Sequence, residues 1–126
     1  MASDDESHSL PAHEALGAYG EGLAAEYLKN QGMVILHRNW RCESGELDVV
    51  ARDGDTLVIC EVKTRRSLSH GSPLEAVGNR KMAKLRQLAV RYVMEQRIGP
   101  REIRFDVVGV VQPWDGHPIL RHVRGV

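Results

Sequence analysis

Two charged residues stand where an apolar strand should continue. In VICEVKTRRS, residues 58–67, Val58, Ile59, Cys60 and Val62 read as sheet interior, yet Glu61 and Lys63 sit among them and Lys63-Thr64-Arg65-Arg66 follows as a basic run. An unpaired buried charge is expensive, so such groups are paired, bound to a metal or set at a cleft. Side chains alternate along a strand, which puts Glu61 and Lys63 on one face. Asp48 belongs to the strand before, joined through the turn at Asp53-Gly54. A turn of even length gives paired residue numbers that sum to an odd value such as 107 or 109. Asp48 then shares the face of Ile59, Glu61 and Lys63, and the 109 register sets it opposite Glu61. A three-residue turn sends it to the other side; two-residue turns are commonest.

Two carboxylates across a strand pair repel, and one lysine offsets that only in part. A divalent cation removes the conflict. Mg²⁺ (or Mn²⁺) takes oxygen ligands, needs one or two carboxylates and completes its shell with water and phosphate oxygens. Lys63 could orient or deprotonate an attacking water while the metal neutralises charge on a phosphate. The chemistry implied is phosphodiester hydrolysis. Glu21, in the glycine-rich part of the first helix, is the candidate fourth acid; Glu26 and Glu46 compete with it.

The elements that must position these groups follow from periodicity and turn chemistry. Residues 14–31 have helical spacing with Leu16, Leu23, Tyr27 and several alanines on one side, and Gly32 as a C-terminal stop. Gly17, Gly20 and Gly22 weaken that helix, and point to a close approach by another backbone or a ligand, or to a late helix start. MVILHRNW, ELDVVAR and TLVICEVKT read as three strands, the third apolar on both faces and therefore central. SLSHGS is a loop. Ser72, Pro73 and Glu75 predict a capped second helix running to about Arg97, with Leu85, Leu88, Ala89, Tyr92 and Val93 on its packing side. EIRFDVVGVV is a fourth strand and PILRHV a weaker fifth. The expected fold class is α/β: a mixed central sheet flanked by helices, in the order α-β-β-β-α-β.

Composition sets the frame. The length suits one domain, and 42% hydrophobic with 27% charged residues is ordinary for a soluble globular protein. No apolar run approaches the ~20 residues that cross a bilayer, so no membrane partner is expected. MASDDESHSL lacks the hydrophobic segment of a secretory signal. Cys42 and Cys60 form no CxxC pair and read as reduced thiols, which makes the cytoplasm the expected compartment. Residues 1–13 read as a disordered acidic tail and 14–126 as a single nuclease-like domain. Asp4, Asp5, Glu6 and Glu14 give the first 14 residues a charge of −4, while 17 Lys and Arg against the other 13 acids leave +4 on the rest. That body suits nucleic acid without demanding it, and the tail would compete for its basic face.

Together these residues resemble the PD-(D/E)xK nuclease superfamily, whose restriction-endonuclease-like core runs α-β-β-β-α-β. Its acidic strand residue matches Asp48; its E-x-K matches Glu61-Val62-Lys63, with the Val62 carbonyl as backbone metal ligand. The first-helix glutamate of its Holliday-junction resolvase branch matches Glu21. Leu47 stands where the superfamily label has proline. A closer likeness is to the YraN-like family of predicted bacterial endonucleases, through GAYGEGLAAEYL, RNWRCESGELDVVA, VICEVKTR, AVGNRKMAKL and RFDVVGV, over residues 15–111. The resemblance implies a magnesium-dependent endonuclease acting on DNA, including branched DNA. It also implies catalytic Glu21, Asp48, Glu61 and Lys63, the metal on Asp48, Glu61, Val62 and Glu21. Cutting both strands would take two sites, hence a homodimer.

Arg65 and Arg66, directly after the catalytic strand, are placed to hold backbone phosphates. Arg80, Lys84 and Arg91 share one side of the second helix and form either a phosphate track or a solvated face. Arg38, Arg41 and Lys81 are weaker candidates for the same role. Trp40 and Trp114 are stacking or packing residues, His70 a phosphate neighbour, and Asp106 with Arg104 a structural ion pair. The rival reading is a nucleic-acid-binding module that keeps the fold without useful catalysis. A further rival is an interaction protein in which Glu61–Lys63 is structural.

Overall fold

The structure, a computed structural model, describes residues 9–67 and 78–126. Helix α1 (Ser9–Asn30) leads into a hairpin of β1 (Val34–Cys42) and β2 (Gly45–Asp53), followed by β3 (Thr56–Arg65). Helix α2 (Asn79–Gln96) carries the chain across to β4 (Glu102–Val111), and β5 (Ile119–Val123) closes the sheet. The five strands lie in chain order, antiparallel except for the β3–β4 pair. A parallel pair needs a crossover, and α2 supplies it. The mixed α/β architecture is that expected from the sequence, with β3 in the middle of the sheet.

Each helix covers one face. Ala24 and Leu28 of α1 pack on Val49, Ala51, Val58, Cys60, Val62, Val108 and Val110. Met82, Leu85, Leu88, Ala89 and Tyr92 of α2 pack on Trp40, Leu47, Val50, Leu57 and Ile59. With helices on both faces β3 must be apolar on both, so a charged residue within it is conspicuous. Both cysteines are free, and Cys60 lies in the core.

The helix ends follow local chemistry. Gly32, at φ +96°, stops α1, and Met33 N–H bonds back to the Leu28 carbonyl at 3.1 Å. The start of α1 differs from expectation: the helix begins at Ser9, ahead of Glu14, so residues 9–13 are helical rather than part of a disordered tail. Residues 1–8 lie outside those described. So do Ser72, Pro73, Glu75 and His70, and with them the expected capping box; α2 is described from Asn79, with Gly78 before it. At its other end Arg97 takes a left-handed conformation just ahead of the Gly-Pro pair.

The α1 glycines are not equivalent. A Cβ on Gly20 would overlap Thr64 Oγ1 and come within 2.8 Å of Thr64 Cβ, so only glycine lets α1 settle onto β3 there. Gly17 faces open space. Gly20→Ala should therefore lower stability by about 1–3 kcal/mol through overpacking. Gly17→Ala should raise it by up to ~1 kcal/mol through helix propensity. Urea midpoints of the two variants check this; equal shifts would refute the close approach.

Candidate active site

The site forms where β2 parts from β3. The β2–β3 ladder runs from Asp53↔Thr56 to Val49↔Cys60, every pair summing to 109, around a two-residue turn at Gly54-Asp55. One step further, Asp48 comes level with Glu61. Opposite that step in β1, Asn39 adopts φ 55° between the pairs Arg38↔Val49 and Trp40↔Leu47. Asn tolerates this region better than most residues. Beyond it, Trp40 and Leu47 both turn into the α2-facing core, so the strict in-out alternation breaks at Asp48.

The freed Asp48 side chain reaches β3, where its Oδ2 accepts the Val62 N–H at 2.9 Å. Within a strand a residue's N–H and C=O point to the same side, so the Val62 carbonyl faces the same fork. Glu61 is only 4% exposed and hydrogen-bonds Asp48. Burial, then the Glu61 charge, pushes the Asp48 carboxyl up to about 7; the Val62 N–H opposes the shift and the Glu21 charge adds to it. Asp48 is thus the carboxyl of the two whose ionised form the site disfavours.

Glu21 reaches this centre because Gly20 docks α1 on Thr64, the residue after Lys63. Its charge is felt at Asp48, although it makes no direct bond there. The competing acids lie elsewhere: Glu26 pairs with Lys29 at 3.8 Å and Glu46 with Arg41 at 3.1 Å, all exposed. Lys63 Nζ stands 3.9 Å from Glu61 Oε1. Lys81 is closer, its Nζ 2.8 Å from the same oxygen, and the hydrogen bond to Glu61 raises the Lys81 pKa. By sequence Lys81 is only a weaker candidate for a phosphate surface. The stretch NRKMAKL carries no register relative to Glu61, which lies 20 residues before Lys81.

The other candidates divide. Arg66 stacks its guanidinium on Trp114, 3.8 Å from the ring centroid, and donates to the Gln112 carbonyl at 3.4 Å. Arg65 has a buried Nε without a hydrogen-bond partner among the described residues. Arg91 is held by Glu43 at 2.6 Å. Arg80 and Lys84 are exposed on α2. Trp40 is a packing residue: buried against Tyr92, it donates Nε1–H to Glu95 at 2.7 Å. Asp106 and Arg104 form the expected ion pair at 2.9 Å, within a network missed in sequence. His122 bridges Asp106 at 2.8 Å and Tyr27 at 3.2 Å. Burial would raise Asp106, but Arg104, His122 and the Gly125 N–H outweigh it and hold that carboxyl below its usual range.

Among the described residues no three His, Cys, Asp or Glu side chains are grouped as a metal cage. The donor set nevertheless fits Mg²⁺, which requires only one or two carboxylates and draws its remaining ligands from carbonyls, water and phosphate. Two acids held together against their repulsion, beside a backbone carbonyl, suit such an ion; a zinc site would need nitrogen or sulfur. No described helix is long and apolar enough to cross a membrane.

The family model for Uncharacterised protein family UPF0102 matches residues 20–110, a range that contains Glu21, Asp48, Glu61 and Lys63. A UPF0102 protein of a Nocardioides species is 58% identical over 113 residues, covering 90% of this chain and 91% of the relative. Another from Acidothermus cellulolyticus is 53% identical over 124 residues, covering 90% and 94%. A third, from Streptomyces griseus, is 51% identical over 119 residues, covering 93% and 99%. The chain belongs to the UPF0102, or YraN-like, family.

The proton on Asp48 has a thermodynamic consequence. A carboxyl whose folded pKa exceeds its unfolded value stabilises the fold at low pH and loses that contribution as pH rises. Metal-free protein should therefore lose stability between pH about 4 and about 7. Asp48→Asn, which can still accept the Val62 N–H, should melt higher than the parent at pH 8 in EDTA and match it more closely at pH 4. Parallel melting curves across that window would contradict the raised Asp48 pKa.

Proposed function

We propose that this protein is a divalent-metal-dependent phosphodiester hydrolase, an endonuclease of the PD-(D/E)xK type acting on DNA. The observation that carries this reading is the Asp48–Glu61 pair, held in contact at the fork of β2 and β3 with an ammonium group beside it. The order of elements and the Glu61-Val62-Lys63 run support it through their resemblance to that superfamily.

Asp48, Glu61 and the Val62 carbonyl would hold Mg²⁺ or Mn²⁺, with Glu21 tuning the charge of the site. When bound, the metal supplies Lewis-acid stabilisation of a phosphate and lowers the pKa of water. Lys63 orients the attacking water and assists its deprotonation. Lys81, now on the Glu61 oxygen, offsets the carboxylate charge that would otherwise repel a polyanion. Arg65, Arg66, Arg80 and Lys84 are suited to backbone phosphates, and Arg91 would have to leave Glu43 to join them. Branched DNA is the preferred substrate by analogy with resolvases. Paired cuts on two strands would require two copies of the chain. Free thiols at Cys42 and Cys60 accord with action in the cytoplasm.

One observation favours a second reading. Lys81 already neutralises Glu61 at 2.8 Å, as a structural ion pair would, which suits a nucleic-acid-binding module without catalysis. A cleavage panel of duplex, flap, four-way-junction and single-stranded DNA separates the two. Under the nuclease reading, Mg²⁺ or Mn²⁺ supports cutting, and Lys63→Ala reduces the rate roughly 10²–10⁴-fold. In calorimetry the parent should bind Mg²⁺ and Asp48→Ala should not. Salt-sensitive binding without cleavage in either metal would establish the module instead.

A further inference from the structure

Beyond β3 the chain displays an aromatic group that the core does not use. Trp114 is 82% exposed, in the turn between β4 and β5, and the Arg66 guanidinium lies 3.8 Å from its ring centroid. The turn is braced rather than loose. Gln112 donates its backbone N–H to the Arg65 carbonyl at 2.8 Å. Its side-chain amide donates to the Pro113 and Gly116 carbonyls, each at 2.9 Å, and accepts Tyr19 O–H at 2.7 Å. Every hydrogen-bonding role of that amide except one acceptor site is thereby used, and together these bonds tie the turn to both β3 and α1.

Between this turn and α1 lies a cleft of about 450 Å³ lined by Leu16, Tyr19, Arg66, Pro113 and Trp114. A volume of this order suits a small planar group. Burying Trp114 would be favourable, yet the fold leaves it out and backs it with a cation. Aromatic rings with arginine are the usual means of holding bases of unpaired strands, since every base has a π face. The position fits the same occupant. Arg66 follows Lys63 by three residues, immediately past the end of β3. Tyr19 immediately precedes Gly20 and Glu21, so the cleft adjoins the carboxylate centre along α1 as well.

We propose that Trp114, Arg66 and Tyr19 form a stacking subsite for an unpaired nucleobase of a nucleic-acid strand that enters the carboxylate site. This deepens the nuclease reading by naming a substrate feature, an unpaired segment near the scissile phosphate. Arg66 polarises the stack and meets the adjoining phosphate, and the turn keeps the indole in place before the strand arrives.

Binding, not cleavage, is the test, with Ca²⁺ replacing Mg²⁺ and fluorescent oligothymidine compared with a blunt duplex of equal length. Trp114→Ala should weaken single-strand binding roughly 5- to 150-fold, the range for loss of one base–aromatic stack. The preference for single strand over duplex should fall with it, and Trp114→Phe should recover most of the loss. Oligothymidine should also quench the parent's exposed indole, and the quench should vanish in Trp114→Ala, where only the buried Trp40 remains. Unchanged single-strand affinity, or equal losses on both ligands, overturns the subsite and leaves the nuclease reading intact. An intact stacking effect in a protein that never cleaves overturns the nuclease reading and keeps the subsite.

Discussion

The structure turns on a repulsion that the fold maintains. Asp48 lies beside the buried Glu61 at the fork, where burial and the Glu61 charge both disfavour its ionised form. Left alone, such a pair costs stability, and a pair of apolar residues would serve a structural sheet better. The sheet tolerates it because three backbone features converge: the 109 register, the left-handed Asn39 and the end of the β2–β3 ladder.

Packing then brings the remaining groups to that fork. Gly20 lets α1 approach Thr64 closely enough for the Glu21 charge to be felt at Asp48. On the opposite face α2 delivers Lys81 to Glu61 from a distant part of the chain. The site is thus a junction of both helical layers with the central strand. Its electrostatics depend on the correct docking of each layer and not on any single segment.

Much of this was legible in the residues. A turn of even length predicted by parity that Asp48 and Glu61 share a face, but it left the 107 and 109 registers open. The turn lies at Gly54-Asp55 rather than Asp53-Gly54. The charged interruption of an otherwise apolar β3 marked Glu61 and Lys63, and a close approach was one of the readings open for Gly17, Gly20 and Gly22, realised at Gly20. What escaped reading has a common cause. Lys81 and His122 act through partners 20 and 16 residues away in sequence, Glu61 and Asp106, across connections whose geometry no local pattern encodes. Trp40 read as either stacking or packing until its contact with Tyr92 placed it in the core. The start of α1 was misjudged because the polar composition of the first residues suggested a tail, whereas the helix extends back to Ser9.

The central claim is that the fork between β2 and β3 is built for a divalent cation. Crystals grown with Mn²⁺ would test it most directly by anomalous scattering. The account requires a peak bounded by carboxylate oxygens of Asp48 and Glu61 and the Val62 carbonyl, at about the 2 Å expected of small divalent ions with oxygen ligands. A fork without such a peak, with Lys81 still seated on Glu61 at saturating Mn²⁺, would contradict it.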